Sequence, residues 1–230
     1  MGALAPVLLL VAAAEPTPTS DPFEIEVYTA DTVARGHLLA EQHANVTSDH
    51  GAHLTYEFIY GLVDWLELAT YFATEVKTGT HDFAFAEWRL RVRPRTPDAW
   101  PVRASLNIES SWDEHGFLSL ELRPIWTQSF WRLRLDVDPT FEFDREGTVD
   151  ALPALKLALA VGGGFEVGLE YYGNLGPVDA PAPGAREWHQ VFAALDVVRW
   201  SRVELNLAAG FGLTAATDPF TVKTIVGLQF

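Results

Sequence analysis

The stretch FTVKTIVGLQF, residues 220–230, decides the fold of this chain. Apolar side chains alternate with polar or small ones along it, at Phe220, Val222, Val226, Leu228 and Phe230. A period of two is that of a β-strand with one apolar and one polar face. Chain termini fray and expose what they carry. The stretch therefore predicts a strand that is paired along its length, with apolar surroundings for Phe230.

The same alternation continues along the chain, in segments separated by short runs of turn residues. Short connections between neighbouring strands are typical of antiparallel hairpins. The pattern predicts an all-β fold of about twelve strands, near 36–46, 52–61, 65–76, 82–95, 101–112, 116–127, 130–143, 149–161, 164–174, 188–199, 202–214 and 219–230.

The length of these segments favours a membrane barrel over a soluble sandwich. Strands of globular proteins usually have about five or six residues, whereas a tilted membrane-spanning strand needs about nine to eleven. The predicted strands reach that length and their number is even, as in bacterial barrels. We therefore expect a transmembrane antiparallel up-and-down β-barrel whose last strand pairs with its first, because a closed barrel has no free edge.

Aromatic residues lie near the predicted turns. Amphipathic rings at the level of the lipid headgroups form girdles around membrane barrels. The predicted girdle, in contact with outer-membrane lipid, consists of Trp65, Trp100, Trp112, Trp126, Trp131, Trp188, Trp200 and Phe230.

The start of the chain has the features of an export signal. Residues 1–14 contain a short apolar core that ends in small residues, so we predict a signal peptide cleaved near Ala14. Residues 15–35 are then predicted as an N-terminal periplasmic segment and 36–230 as the outer-membrane barrel. Within that segment FEIEVYTAD, residues 23–31, is either a short additional strand or a stretch tucked into one end of the barrel.

Composition excludes several classes of function. The net charge of −15 argues against a nucleic-acid partner, and the absence of cysteine excludes disulfides and thiolate chemistry. No residue stands out as catalytic, and the His-x-Ser spacing of outer-membrane lipid hydrolases is absent. His43, His50 and His53 cluster near one predicted outer hairpin with Glu41 and Asp49, but flexible loop histidines are usually solvated. We predict no enzyme activity, no cofactor and no metal.

Several segments resemble those of an uncharacterised family of Gram-negative outer-membrane β-barrel proteins. They are YGLVDWLELATYF (60–72), LEYYGNLGPV (169–178), HQVFAALDV (189–197) and the end of the chain. A final strand ending in phenylalanine also resembles the signal that the outer-membrane assembly machinery recognises. The resemblance implies the barrel fold, the outer membrane of a Gram-negative bacterium as the location and the assembly machinery as a partner. It implies no catalytic residue.

Charged residues on the predicted inward face suggest what the lumen does. The predicted basic strip consists of Arg89, Arg91, Arg93, Arg103, Arg123, Arg132 and Arg134, and the opposite acidic wall of Glu41, Glu57, Glu67, Glu75, Glu166, Glu170, Asp196 and Glu204. A field across a lumen with low-dielectric walls selects polar solutes. The leading hypothesis is a narrow pore for passive diffusion of small polar solutes, with anions favoured if the arginines line it. The alternatives are a plugged structural or ligand-binding barrel, in which these charges pair across neighbouring strands, and a lipid hydrolase.

Overall fold

The chain forms one closed barrel of twelve antiparallel strands. The computed structural model describes residues 25–48, 51–77, 83–100, 102–180, 187–200 and 202–230. The strands are β1 (Leu38–Thr47), β2 (Gly51–Val63), β3 (Leu66–Lys77), β4 (Phe83–Pro94), β5 (Arg103–Asp113), β6 (Gly116–Phe130), β7 (Leu133–Asp144), β8 (Val149–Gly162), β9 (Phe165–Asn174), β10 (Trp188–Trp200), β11 (Val203–Gly212) and β12 (Phe220–Gln229). The predicted fold class and strand order are confirmed.

The barrel closes between its first and last strands. β1 and β12 pair without interruption from Leu39 opposite Gln229 to Thr47 opposite Thr221. The amide of Phe230 donates to the carbonyl of Leu38 at 2.8 Å, and the amide of Leu38 donates back at 3.1 Å. The terminal phenylalanine is thus held by the first strand, as the alternating end of the sequence predicted.

The two ends of the barrel differ. We call the end that holds residue 37 and Phe230 the terminus end; the connections after β2, β4, β6, β8 and β10 also lie there. We call the opposite end the loop end, and it includes the long connection between Asn174 and Trp188. Most connections at the terminus end are tight turns, and the segment between Pro94 and Arg103 is the exception.

The two faces of the barrel wall have opposite polarity. On β12, Val222, Val226 and Leu228 are exposed on the outside, whereas Thr221 and Lys223 are almost fully buried on the inside. The same sense holds on β4, where Leu90 and Val92 face out and Arg89, Arg91 and Arg93 face in. An apolar outside around a polar inside is the arrangement of a membrane barrel and the inverse of a soluble sandwich. No helix among the described residues has the length and apolar character needed to cross a membrane.

Candidate functional site

The lumen contains part of the chain itself. Residues 25–34, which we call the inner segment, precede β1 and lie inside the barrel. Its apolar side chains are buried: Ile25, Val27, Tyr28, Ala30 and Val33. Of the predicted periplasmic segment, 15–35, the structure describes residues 25–35 and places most of them in the lumen. Residues 1–24 lie outside the described ranges, so the signal peptide and the domain boundaries stay predictions.

Side chains of the wall hold the backbone of the inner segment. The amide of Tyr28 donates to Asp138 Oδ2 at 2.6 Å, the amide of Ala30 to Thr127 Oγ1 at 2.8 Å, and the amide of Val33 to Glu67 Oε2 at 2.7 Å. Buried backbone donors need such partners, and hydrogen bonds to charged acceptors contribute about 1.5–3 kcal/mol each. The inner segment is therefore seated by specific bonds to β3, β6 and β7.

Near the terminus end, a close backbone contact also holds the chain that follows the inner segment. Gly36 donates its amide to the carbonyl of Gly61 at 2.7 Å, and Gly61 donates to the carbonyl of His37 at 3.1 Å. A Cβ added at Gly61 would lie 2.2 Å from the carbonyl oxygen of Ala34. Gly61 is thus required by the approach of the chain that leads out of the lumen.

The ring of Tyr28, in the inner segment, is surrounded by arginines of the barrel wall. The guanidinium carbons of Arg91, Arg93 and Arg123 lie 5.0, 5.3 and 5.0 Å from the centroid of its ring. Cations at this distance from an aromatic face are attracted by its quadrupole, by up to about 2 kcal/mol when the pair is desolvated. Three arginines of β4 and β6 therefore surround one ring from the inner segment.

The predicted basic strip does not form a continuous cationic surface, because its arginines pair with carboxylates of their own and neighbouring strands. Arg91 contacts Glu57 at 2.5 Å and Glu67 at 3.2 Å, while Arg93 contacts Glu67 at 2.5 Å. Arg89 lies 3.0 Å from Glu109, and Arg123 lies 2.9 Å from Glu121. The paired arrangement, weighed above as the alternative, is the one that the structure shows.

Three members of the strip lie elsewhere. Arg134 is half-buried and pairs with Asp136 at 2.8 Å and with Glu166 at 2.6 Å. Arg103 is half-exposed and pairs with Asp31, an exposed residue of the inner segment. Arg132 is exposed in the turn between β6 and β7, where its guanidinium lies over the ring of Trp131. Arg132 is therefore not on the wall of the lumen, because the tight turn ends the alternation before it.

The carboxylates of the predicted acidic wall differ in their burial and in the cations that they contact. Glu41, Glu57, Glu67, Glu170 and Asp196 are buried in the lumen, Glu75 and Glu166 are half-buried, and Glu204 is exposed. Lys156 bridges Glu170 at 2.9 Å and Asp196 at 2.8 Å, and Lys223 lies 2.5 Å from Glu170. The carboxylates of β9 and β10 thus belong to a network with lysines of β8 and β12.

A cavity of about 530 Å³ remains beside the inner segment. One side of it is the inner segment, and most of its other lining residues come from β1 and β8–β12. Its charged lining consists of Glu26, Asp31, Glu41, Arg93, Arg134, Lys156, Glu170, Asp196, Glu204 and Lys223. Six carboxylates against four cations make this the acidic part of the lumen, while Arg89, Arg91 and Arg123 lie away from it.

The tryptophans occupy two levels of the outer surface. Trp65, Trp100, Trp126, Trp131 and Phe230 are exposed at or near the terminus end. Near the loop end Trp112 stacks on Trp88, with ring centroids 4.9 Å apart. These positions suit a girdle, and their contact with lipid stays a prediction. The side chain of Trp200 lies outside the described part of the structure.

Trp188 is not a girdle residue. It is 8% exposed and belongs to a hydrophobic cluster inside the barrel with Ile25, Val27, Tyr172 and Phe192. It shares a face of β10 with Phe192, and this face points inward because the inner segment supplies an apolar partner there. The sequence placed Trp188 near a turn but gave no sign of that partner.

His43 and His53 of the first hairpin are strand residues and not loop residues. His43 and His53 are buried and face the lumen, whereas Asp49 and His50 lie outside the described ranges. His43 is grouped with Glu41, Glu57 and Glu26 of the inner segment. Glu26 and Tyr28 are the residues that sequence reasoning missed. The alternation of FEIEVYTAD was the available signal, but it did not distinguish a lumenal segment from a strand.

Comparison with solved structures places the fold among outer-membrane channels. An outer membrane channel from Pseudomonas putida F1 has a TM-score of 0.63 at 12% identity, covering 90% of this chain and all of the other. The KdgM porin has a TM-score of 0.59 at 8% identity, with coverages of 84% and 98%.

The chain has the fold of an outer-membrane porin. Omp33, an outer membrane protein of Acinetobacter baumannii, is similar over the same 84% of this chain and 98% of its own, with a TM-score of 0.53 and 10% identity. No protein-family model and no curated protein matches the chain by sequence. At these identities the likeness is one of fold alone.

Proposed function

We propose that this chain is an outer-membrane channel that passes small polar solutes through a lumen narrowed by its own inner segment. The observation that carries the proposal is the charged cavity of about 530 Å³ beside residues 26–34. A barrel with an apolar outside and a charged, partly open inside fits solute passage across a membrane better than it fits a purely structural role. Its fold is also that of proteins described as porins and channels.

We propose that the barrel lies in the outer membrane of a Gram-negative bacterium with its terminus end toward the periplasm. Short turns at that end and the longer loops at the other agree with the usual orientation of bacterial barrels. The exposed aromatic residues near both ends would contact lipid at the headgroup level. The final strand, with Phe230 paired to Leu38, is the segment that the assembly machinery would recognise.

We expect a weak preference for cations. Carboxylates outnumber cations on the lining of the cavity, whereas the arginines that suggested anion passage are mostly paired with carboxylates away from it. Solutes near a wall of one sign are enriched in the opposite charge. The sequence-based expectation of anion selectivity is therefore replaced by the opposite expectation.

The experiment is single-channel recording of the refolded full-length protein in a planar bilayer. Discrete steps with a reversal potential that favours cations are the expected result, and their size bounds the width of the constriction. A variant without residues 15–34 should give larger steps, because the inner segment no longer occupies the lumen.

A plugged barrel is the second candidate, and the hydrogen bonds that seat the inner segment favour it. It predicts no steps from folded wild-type protein, with folding shown by heat-modifiable gel mobility, and steps only from the truncated variant. The absence of conductance steps from folded wild-type protein would contradict the channel proposal. We expect no lipid hydrolysis, which incubation of the folded protein with phospholipid and lipopolysaccharide tests.

A further inference from the structure

Three carboxylates, of which Glu41 and Glu57 are buried and Glu26 is half-buried, surround one buried imidazole where the inner segment meets the barrel wall. His43 Nε2 lies 3.8 Å from Glu26 Oε2, 3.7 Å from Glu41 Oε2 and 3.8 Å from Glu57 Oε2. One ligand atom from each of the four residues lies within 4.8 Å of the others. Glu26 belongs to the inner segment, Glu41 and His43 to β1, and Glu57 to β2.

His43 is aimed into this group without a hydrogen bond. Its side chain is 1% exposed, and within the described part of the chain neither ring nitrogen makes a hydrogen bond. Nitrogen and oxygen atoms that share a hydrogen bond lie about 2.7–3.2 Å apart. Ligand atoms that share one Zn²⁺, with bonds of about 2.0–2.2 Å, lie roughly 3–4.4 Å apart. The observed spacings around His43 fit the second case.

Repulsion among the carboxylates of this group also favours a bound cation. Glu26, Glu41 and Glu57 each bring a carboxylate oxygen to within 3.8 Å of one imidazole nitrogen, and Arg91 contacts Glu57. Buried charge is costly unless it is paired or bound to a metal. A divalent ion between these oxygens would lower that cost.

We propose that Glu26, Glu41, His43 and Glu57 bind one divalent transition-metal ion, of which Zn²⁺ is the probe, and that the ion fastens the inner segment to β1 and β2. One imidazole with carboxylate oxygens is a ligand set that suits Zn²⁺ or Mn²⁺. An ion that binds the seated inner segment better than the released one stabilises the seated state by mass action. In the proposed channel, the bound ion would control how far the inner segment narrows the lumen. Only this effect on conductance rests on the proposed function.

The test measures metal binding by the full-length folded protein. After dialysis against EDTA the protein is titrated with Zn²⁺ alone against a chromophoric chelator, and bound metal is counted by elemental mass spectrometry. We expect one tightly bound ion per barrel in the wild type and in His115→Gln, a control for surface histidines because His115 is exposed. His43→Gln and Glu26→Gln should each weaken binding at least tenfold.

Glu26→Gln keeps the test decisive if His43→Gln does not fold, because it changes the inner segment and leaves every strand intact. Failure of the folded wild type to bind one zinc ion would overturn the proposal, as would equal affinity in the wild type and Glu26→Gln.

The fastening of the inner segment is measured separately. Because the chain lacks cysteine, Ala30→Cys places a single thiol at a position that is 2% exposed. EDTA should speed its modification by a water-soluble reagent about tenfold, and Zn²⁺ should reverse the effect, whereas Ala30→Cys with Glu26→Gln should be fast in both conditions. An unchanged rate in protein that binds zinc would overturn the fastening role. Neither measurement needs conductance, so a silent barrel that passes both tests contradicts the channel proposal alone.

Discussion

Gly61→Ala is expected to loosen the inner segment by a clash with the backbone of its last two residues, Val33 and Ala34. The added Cβ would lie 2.2 Å from the carbonyl oxygen of Ala34 and 2.4 Å from that of Val33, where ordinary contact starts near 3.4 Å. Both neighbours are backbone atoms, so Ala34 must move by about 1.2 Å. Overpacking of this kind costs about 1–3 kcal/mol. Because 1.4 kcal/mol is a factor of ten, the seated state should lose roughly 5- to 140-fold in population relative to the released state.

The assay is single-channel recording, with the frequency and size of openings compared between Gly61→Ala and the wild type. We expect more frequent and larger openings, because released segments leave the lumen wider. The control is the same substitution in the variant without residues 15–34, where the clash has no partner and Gly61→Ala should change nothing. This double-mutant cycle distinguishes release of the inner segment from damage to the barrel wall.

Openings identical to those of the wild type, in Gly61→Ala protein shown to be folded by gel mobility, would refute this reasoning. They would mean that the contact between Gly61 and Ala34 does not control access to the lumen. An equal effect of the substitution in the truncated background would refute it as well, since the change would then arise in the wall of the barrel.

Four further predictions concern single side chains. Tyr28→Ala should raise conductance toward that of the truncated variant, whereas Tyr28→Phe should behave as the wild type because its ring still faces the arginines. Glu204→Gln should move the reversal potential toward non-selectivity, because this exposed carboxylate lines the cavity; an unchanged potential would place the ion path elsewhere. Arg91→Met should lower the free energy of unfolding by about 3–5 kcal/mol in urea titrations of bilayer-inserted protein, because it leaves buried carboxylates without their cation. The hydrogen bond from Arg95 lowers the pKa of Asp98, so the stability from this pair is complete above the ordinary pKa of aspartate and is lost as the pH falls through the lowered value. Arg95→Gln should return the pKa of Asp98 to the ordinary value in a titration followed by NMR.

The positions of the strands were predictable because the alternation that indicates a membrane-spanning strand lies within the residues of that strand. Alternation over ten or more residues predicted each strand, and the observed bounds differ from the predicted ones by three residues or fewer. The largest differences are at the turn after Phe130, where the alternation of WRLRLDVD begins before the strand does. The outward exposure of Trp65, Trp100 and Trp131 followed from the same pattern, since turns at the barrel ends lie near the membrane boundary.

The pairing of lumenal charges was only partly accessible from the sequence. Alternation placed Arg91 and Glu57 on the inward face, but whether they meet depends on the register of β2, β3 and β4. Register is set by pairing of whole strands, and a one-residue slip reverses every side chain. The field between a basic strip and an acidic wall was therefore a reasonable hypothesis that the paired arrangement does not support.

The sequence by itself determined the number, order and polarity of the strands, and with them the closed barrel. The reason is that the alternation of apolar and polar residues within each strand distinguishes its lipid-facing side from its lumen-facing side. Only the tertiary structure decided what fills the lumen. The inner segment has the alternation of a strand, yet it hydrogen-bonds to side chains such as Asp138 and Thr127 instead of to a neighbouring strand. Contacts between residues about a hundred positions apart leave no local pattern. For that reason the contacts of Tyr28 with the barrel wall and the inward orientation of Trp188 became visible only in the folded barrel.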